Sequence, residues 1–199
     1  MSENVAVILL AAGESTRMGL PKQLLKIGKE TLIRHMVNVI LQSGLHPVVV
    51  VLGANEEGIR KEIGNTEAHL ISNPSWQGGM GSSIKSGYHF IQENFPETEG
   101  IIVCVGDMPL LTSAHLNKLK AKHIETGLPI IASKYGETGG VPALFHKSLF
   151  PQLNALNDGQ RARKILLQHP TETGWVDFPE GELDLDTPHD YRAFLERGK

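Results

Sequence analysis

Six consecutive apolar residues, Val5–Leu10 (VAVILL), constrain this chain more than any other stretch. A run without a polar side has no face to give to water, so it reads as a strand buried on both sides of a parallel sheet. The strand ends in three small residues, Ala11-Ala12-Gly13, and the loop that follows carries Arg17 and Lys22 with Gly19 between them. Small side chains let backbone N–H groups approach a ligand closely. A guanidinium and an ammonium a few residues on suit phosphate oxygens. A strand and glycine loop alone could equally be a solvated turn; both cations inside the loop favour a polyphosphate site.

Two familiar phosphate loops fail on spacing. A Walker A loop has four residues between its glycines and Lys-Ser/Thr directly after the second. Here five residues separate Gly13 from Gly19, Lys22 comes three later, and Gln23 follows it. The dinucleotide fingerprint G-x-G-x-x-G is absent after the strand as well.

Further along, strand-like and helix-like stretches alternate. A helix from about Thr31 to Leu41 puts Leu32, Ile33, Met36, Val37 and Ile40 on one face. Strands are expected at Val48–Val51, His69–Ser72, Ile101–Val105, Pro129–Ser133, Ala143–Phe145 and Leu183–Leu185. Helices are expected at Glu56–Ile63, after the Gly78–Gly81 turn (Ile84, Tyr88 and Ile91), and at Ser113–Glu125, with Leu116, Leu119 and Ile124 inward. Two more follow at Asn157–Gln168 and after Pro188. Such alternation implies an α/β fold, a mostly parallel sheet sandwiched by helices. Without internal repeats or linkers, residues 1–199 are expected to form one domain.

Ligands in such sheets bind beyond the carboxyl ends of the strands, where the strand order reverses. Two acidic strand ends therefore matter. Strand Ile101–Val105 ends in Gly106-Asp107-Met108-Pro109, where a carboxylate could hold Mg²⁺ or merely cap a turn. The other is Asp184-Leu185-Asp186-Thr187-Pro188: strand periodicity puts Asp184 and Asp186 on one face, and Thr187-Pro188 reads as N-cap and N1 of a helix. Asp107 with Asp186 makes a two-carboxylate metal site, the complement of a cationic loop around a nucleoside triphosphate. Asn73, and Ser82 in the Gly78–Ser83 loop, are candidate base or ribose contacts.

Other chemistries find no support. Ser82-Ser83-Ile84-Lys85 fits S-x-x-K but lacks a K-T-G partner, and no G-x-S-x-G elbow exists. The nine histidines never adopt H-x-x-x-H spacing. A net charge of −3 with pI about 6.3 argues against a nucleic-acid surface. No apolar run approaches the roughly 18 residues that span a bilayer, and the first residues lack the basic region of a signal peptide. The lone Cys104, within an apolar run, fits a reducing cytoplasm.

The chain resembles the MobA-like nucleotidyltransferases, within them the molybdenum cofactor cytidylyltransferases. The resemblance rests on LAAGESTRMGLPK (Leu10–Lys22), NPSWQGGMGSSIKSG (Asn73–Gly87), VGDMPLLT (Val105–Thr112), GVPALF (Gly140–Phe145) and LDLDTPHDY (Leu183–Tyr191). It implies a Rossmann-like three-layer α/β/α sandwich of the nucleotide-diphospho-sugar transferase type. It also implies transfer of a nucleotidyl group from an NTP to the phosphate of molybdopterin, with Mg²⁺ and release of pyrophosphate. Carried over by position, Leu10, Ala11, Ala12 and Gly13 line the nucleotide together with Asn73, Ser82 and Gly106. Arg17 and Lys22 hold the triphosphate, Asp107 and Asp186 bind Mg²⁺, and Arg17, Lys22 and Asp107 form the catalytic set. Guanylyl-transferring relatives usually read LAGG; a methyl on Ala12 narrows the pocket and points to CTP. Cytidylyl relatives often carry G-H-P at Gly140-Val141-Pro142 and G-D-x-G-A-R near Asn157–Arg163, and this chain departs from both. Three readings stand: cytidylyl transfer to molybdopterin, with a molybdenum hydroxylase receiving the product; the same chemistry with GTP or on another phosphorylated acceptor; and a non-catalytic nucleotide or pterin carrier.

Overall fold

The computed structural model describes residues 3–137 and 139–197. Strand β1 (Val5–Leu10) lies near the middle of a seven-stranded sheet. On one side it pairs in parallel with β4 (Val48–Leu52), which pairs with β5 (His69–Ser72). On the other it pairs in parallel with β6 (Gly100–Val105). A short hairpin, β2 (Lys26–Ile27) and β3 (Glu30–Thr31), precedes α1 (Leu32–Gln42), whose N-cap is Thr31.

Beyond β6 the topology departs from simple winding. The chain crosses through α4 (Ser113–Thr126) to β7 (Ile130–Lys134) and turns back as β8 (Gly140–His146), which inserts antiparallel between β6 and β7. The edge strand β9 (Thr173–Asp177) pairs in parallel with β7, so the sheet order is β5-β4-β1-β6-β8-β7-β9. Pro142 lies within β8, opposite the register shift between Ala132 and Ser133 of β7, a bulge that accommodates a residue without an amide donor.

Alternation along β1 builds the two cores. Val5, Val7 and Leu9 pack with α1, α2 (Glu56–Ile63) and α4; Ala6, Ile8 and Leu10 pack with α3 (Met80–Asn94), α5 (Phe150–Asn154) and α6 (Arg163–Gln168). Helices thus cover both faces of a mostly parallel sheet, the three-layer α/β arrangement expected. The five apolar residues expected on the inner face of α1 are all 0% exposed.

Three expectations are corrected. Helix α6 begins at Arg163; residues from Asn157 form turns because Gly81 of α3 draws them in, its amide donating to the Asp158 carbonyl at 2.8 Å. Leu183–Leu185 joins no ladder; it ends against the tip of β6, the Leu185 amide donating to the Asp107 carbonyl at 3.1 Å, and the Asp186 amide turns back to the Asp184 carbonyl. Ile124 faces solvent at 54% exposure because it lies off the stripe through Leu116 and Leu119. Strand β9 has no strong signal in the sequence. Among the described residues no helix is long and apolar enough to cross a membrane.

Candidate functional site

Strand order reverses between β1 and β6, and the carboxyl ends of those two strands form the floor of the site. The Gly106 amide donates to the Leu10 carbonyl at 3.1 Å, so Asp107 leaves β6 directly beside the loop that leaves β1. That loop is anchored by its neighbours. The Ala11 amide donates to the Val51 carbonyl, and the Ala12 carbonyl accepts from the Ala54 amide.

The strongest anchor is Gln23, only 3% exposed. Its Nε2 donates to the Gly13 carbonyl at 2.9 Å and lies 3.3 Å from the Ala11 carbonyl, while its Oε1 accepts from the Ser15 hydroxyl at 3.3 Å. Ser15 itself holds a left-handed backbone (φ 62), and its hydroxyl accepts from the Lys22 amide. These contacts spend the loop's carbonyls on the protein. Among the described residues, the amides of Gly13 through Arg17 donate to no protein acceptor, which leaves them for an anion. Sequence reasoning missed Gln23, because a glutamine after Lys-22 carries no local sign that it will be buried.

Four charged residues meet over this floor. Lys22 Nζ lies 2.6 Å from Asp107 Oδ2 and 2.7 Å from Asp186 Oδ1; Arg17 donates to Asp186 Oδ2 at 2.6 Å. Arg17 is 70% exposed and Lys22 17%, so Lys22 is the fixed member of the pair. Burial works to lower the Lys22 ammonium, but Asp107 and Asp186 outweigh it and hold the pKa above the usual lysine value. Burial likewise works to raise Asp186, and the Lys22 and Arg17 charges outweigh it and hold that carboxyl low. Among the described residues no cation forms an ion pair with Asp184, and the Lys22 and Arg161 charges act on it only weakly. Burial, then repulsion from Asp107 and Asp186, pushes it up to about 7. Asp186 is positioned by helix α7 (Pro188–Arg197), where Asp190 caps back onto the Thr187 amide at 2.9 Å and the Asp190 amide donates to Thr187 Oγ1 at 3.2 Å.

Two cavities share this cluster. The first, about 210 Å³, is lined by Leu10, Ala12, Gly13, Trp76 and Ser83. The second, about 400 Å³, is lined by Arg17, Tyr135, Arg161, Arg163, Asp184 and Asp186. Lys22 and Asp107 line both. Ala11 is buried behind the first cavity's wall. Asn73 and Ser82 are buried and do not line it, and their polar atoms are engaged within their own loop. Asn73 Nδ2 reaches Ser82 Oγ and Ser83 Oγ, both at 3.0 Å, and the Ser82 hydroxyl lies within 2.9 Å of the Ser75 and Gly79 carbonyls. Trp76 and Ser83 line the cavity instead.

Residues 7–173 match the family described as the MobA-like NTP transferase domain. The chain belongs to that family. Among curated proteins, nicotine blue oxidoreductase of Paenarthrobacter nicotinovorans is 33% identical over 121 residues, covering 60% of this chain and 57% of that protein. The bifunctional protein GlmU of Clostridioides difficile is 31% identical over 124 residues, covering 61% of this chain but only 26% of that protein. The match therefore spans less than two thirds of either relative. Among solved structures, Rv0371c of Mycobacterium tuberculosis superposes with a TM-score of 0.81 at 24% identity, over 98% of this chain and 99% of that one. Molybdopterin-guanine dinucleotide biosynthesis protein A of Archaeoglobus fulgidus gives 0.71 at 18% identity, over 97% and 98%. At these identities the superpositions establish a shared fold.

Proposed function

We propose that this chain transfers CMP from CTP to the phosphate of molybdopterin and releases pyrophosphate. The observation that carries the reading is the Lys22 ammonium bridging Asp107 and Asp186 where the two cavities meet. A cation already occupies the position between two carboxylates, and the second oxygen of Asp107, Oδ1, is buried without a hydrogen-bond partner. That arrangement suits Mg²⁺, which takes one or two protein carboxylates and completes its octahedron with water and substrate phosphates. Among the described residues no group of three or more His, Cys, Asp or Glu is placed to hold a metal ion. Asp107 and Asp186 would hold the ion, which would neutralise charge on the phosphate oxygens. A manganese complex of Rv0371c is among the similar structures.

The chain's own residues do the rest. The smaller cavity takes the nucleotide, with Ala12 limiting the space beside the base and the Gly13–Arg17 amides facing the phosphates. Lys22 and Arg17 hold the departing pyrophosphate. Arg161 and Arg163 hold the acceptor phosphate in the larger cavity. An acceptor oxygen forms the new bond to the α-phosphorus as the bond to pyrophosphate breaks, and pyrophosphate keeps the electron pair. A phosphate nucleophile arrives already deprotonated, so no general base is required; positioning and charge neutralisation supply the catalysis. One relative is named an oxidoreductase, but the Lys22, Asp107 and Asp186 cluster favours phosphoryl chemistry in this chain.

The test is pyrophosphate release from CTP and from GTP with molybdopterin and Mg²⁺. Release with CTP that depends on molybdopterin supports the reading. Release with GTP alone would remove the cytidylyl assignment, and release with other phosphorylated acceptors only would remove the pterin.

A further inference from the structure

The larger cavity does not end at its two arginines. Gly139 and Arg163 also line a second groove of about 490 Å³ on the edge of the sheet, walled by Trp175 of β9, Leu166 and Leu167 of α6, and Pro170. Trp175 is 43% exposed and Leu167 70%, an unusual pair of large apolar side chains to leave beside a charged pocket. The indole is nevertheless held. A Cβ on Gly139 would overlap both its ring and the Ser133 carbonyl, so only glycine lets the loop pass this close to the tryptophan. An aromatic ring fixed on one side and open on the other is a stacking platform, and it costs little entropy to use. Lys134 and Glu137 line the same groove with opposite charges, so its net positive charge is that of Arg163.

Size separates two kinds of acceptor. A sugar phosphate fits within the inner cavity of about 400 Å³ and would leave Trp175 in water. A longer phosphomonoester with a planar end would fill both spaces. We infer that the Trp175 groove is the outer half of the acceptor site, stacking a flat heteroaromatic ring whose phosphate lies between Arg161 and Arg163. The inference rests on the transfer reading for the phosphate end and adds the chemistry recognised at the other end.

Direct binding tests it without turnover. Full-length protein is titrated calorimetrically with 6-hydroxymethylpterin monophosphate as the ringed probe and ribose 5-phosphate as the ringless one. The ringed probe binds more tightly, and Trp175→Leu weakens it about tenfold or more, the usual worth of one aromatic stack. Affinity for ribose 5-phosphate and for CTP stays as in the parent. Leu167→Glu, at a solvent-facing position, puts a carboxylate in the groove and weakens the ringed probe without touching the core. If the parent binds both probes equally, or if neither substitution changes ringed-probe affinity, the groove is not part of the acceptor site. Failure of the transfer reading would show differently, as absent pyrophosphate release with this binding pattern intact.

Discussion

Replacing Gln23 with leucine separates the loop's fixed geometry from its charge. Leucine keeps most of the side-chain volume but supplies no donor, so the Gly13 carbonyl loses its 2.9 Å partner. The contacts to the Ala11 carbonyl and from the Ser15 hydroxyl, both 3.3 Å, are long and contribute less. Gly13 is exposed and water can reach its carbonyl, so the loss is that of an ordinary hydrogen bond, about 0.5–1.5 kcal/mol. We expect a loss of about 1 kcal/mol in urea denaturation, or roughly 2–4 °C in Tm for a chain of this size. The Gly13–Arg17 amides would then be ordered only when the nucleotide binds. Fixing one more backbone residue on binding costs about 1–2 kcal/mol. CTP affinity measured by calorimetry should accordingly fall about tenfold. Gln23→Glu should cost more, because it turns a carboxylate toward two carbonyls. Lowered stability with parental CTP affinity would refute the idea that this clamp presets the anion site. Unchanged stability would refute the hydrogen-bond accounting itself.

Three further outcomes follow from the same geometry. Asp107→Asn keeps the side chain's shape while removing its charge, and should lower pyrophosphate release on the order of a hundredfold or more, with circular dichroism unchanged; parental rates at saturating Mg²⁺ would remove the metal role. Ala12→Gly opens the cavity wall beside the base, and should narrow the kcat/KM preference for CTP over GTP by roughly tenfold without reversing it, since one methyl controls only about 1–3 kcal/mol. His115, 5% exposed, lies 2.7 Å from Ser133 Oγ, which donates to the Pro142 carbonyl. Burial, then the Lys118 charge, lowers its pKa to about 4. The unfolded chain, with an ordinary histidine near 6.5, binds the proton first. This contribution is complete above about pH 6.5 and is lost as pH falls toward 4, by up to roughly 3 kcal/mol. Urea melts across that range should show the loss, and His115→Gln should flatten it.

Local pattern was enough for much of this molecule. The apolar run Val5–Leu10 announces a strand buried on both faces, and the small residues after it announce an exposed backbone. Burial on both faces leaves no other use for such a run. The stripe on α1 and the Thr187-Pro188 helix start are local in the same way, set by side-chain period and capping. Even the shared face of Asp184 and Asp186 was legible, because alternation along the segment separates them from Leu185. Leu185 is fully buried while Asp184 and Asp186 line the cavity, although no neighbouring strand pairs with them.

The rest depended on partners far away in the chain. Whether an extended segment becomes a strand depends on which backbone lies beside it, and Leu183–Leu185 found the tip of β6 rather than a ladder. β9 carries a weak pattern because an edge strand is held by one neighbour and need not be apolar on both faces. The antiparallel insertion of β8 is a matter of topology, which no local pattern records. Gln23 is indistinguishable from a surface glutamine until the Ala11–Ser15 loop folds over it. The cluster at the site is the clearest case: Arg17 and Lys22 meet Asp186 across 169 and 164 residues. Sequence named these residue types as suited to phosphate and metal. Only the tertiary fold, by joining the tips of β1 and β6 to the segment before α7, decided that the cations and carboxylates would face one another.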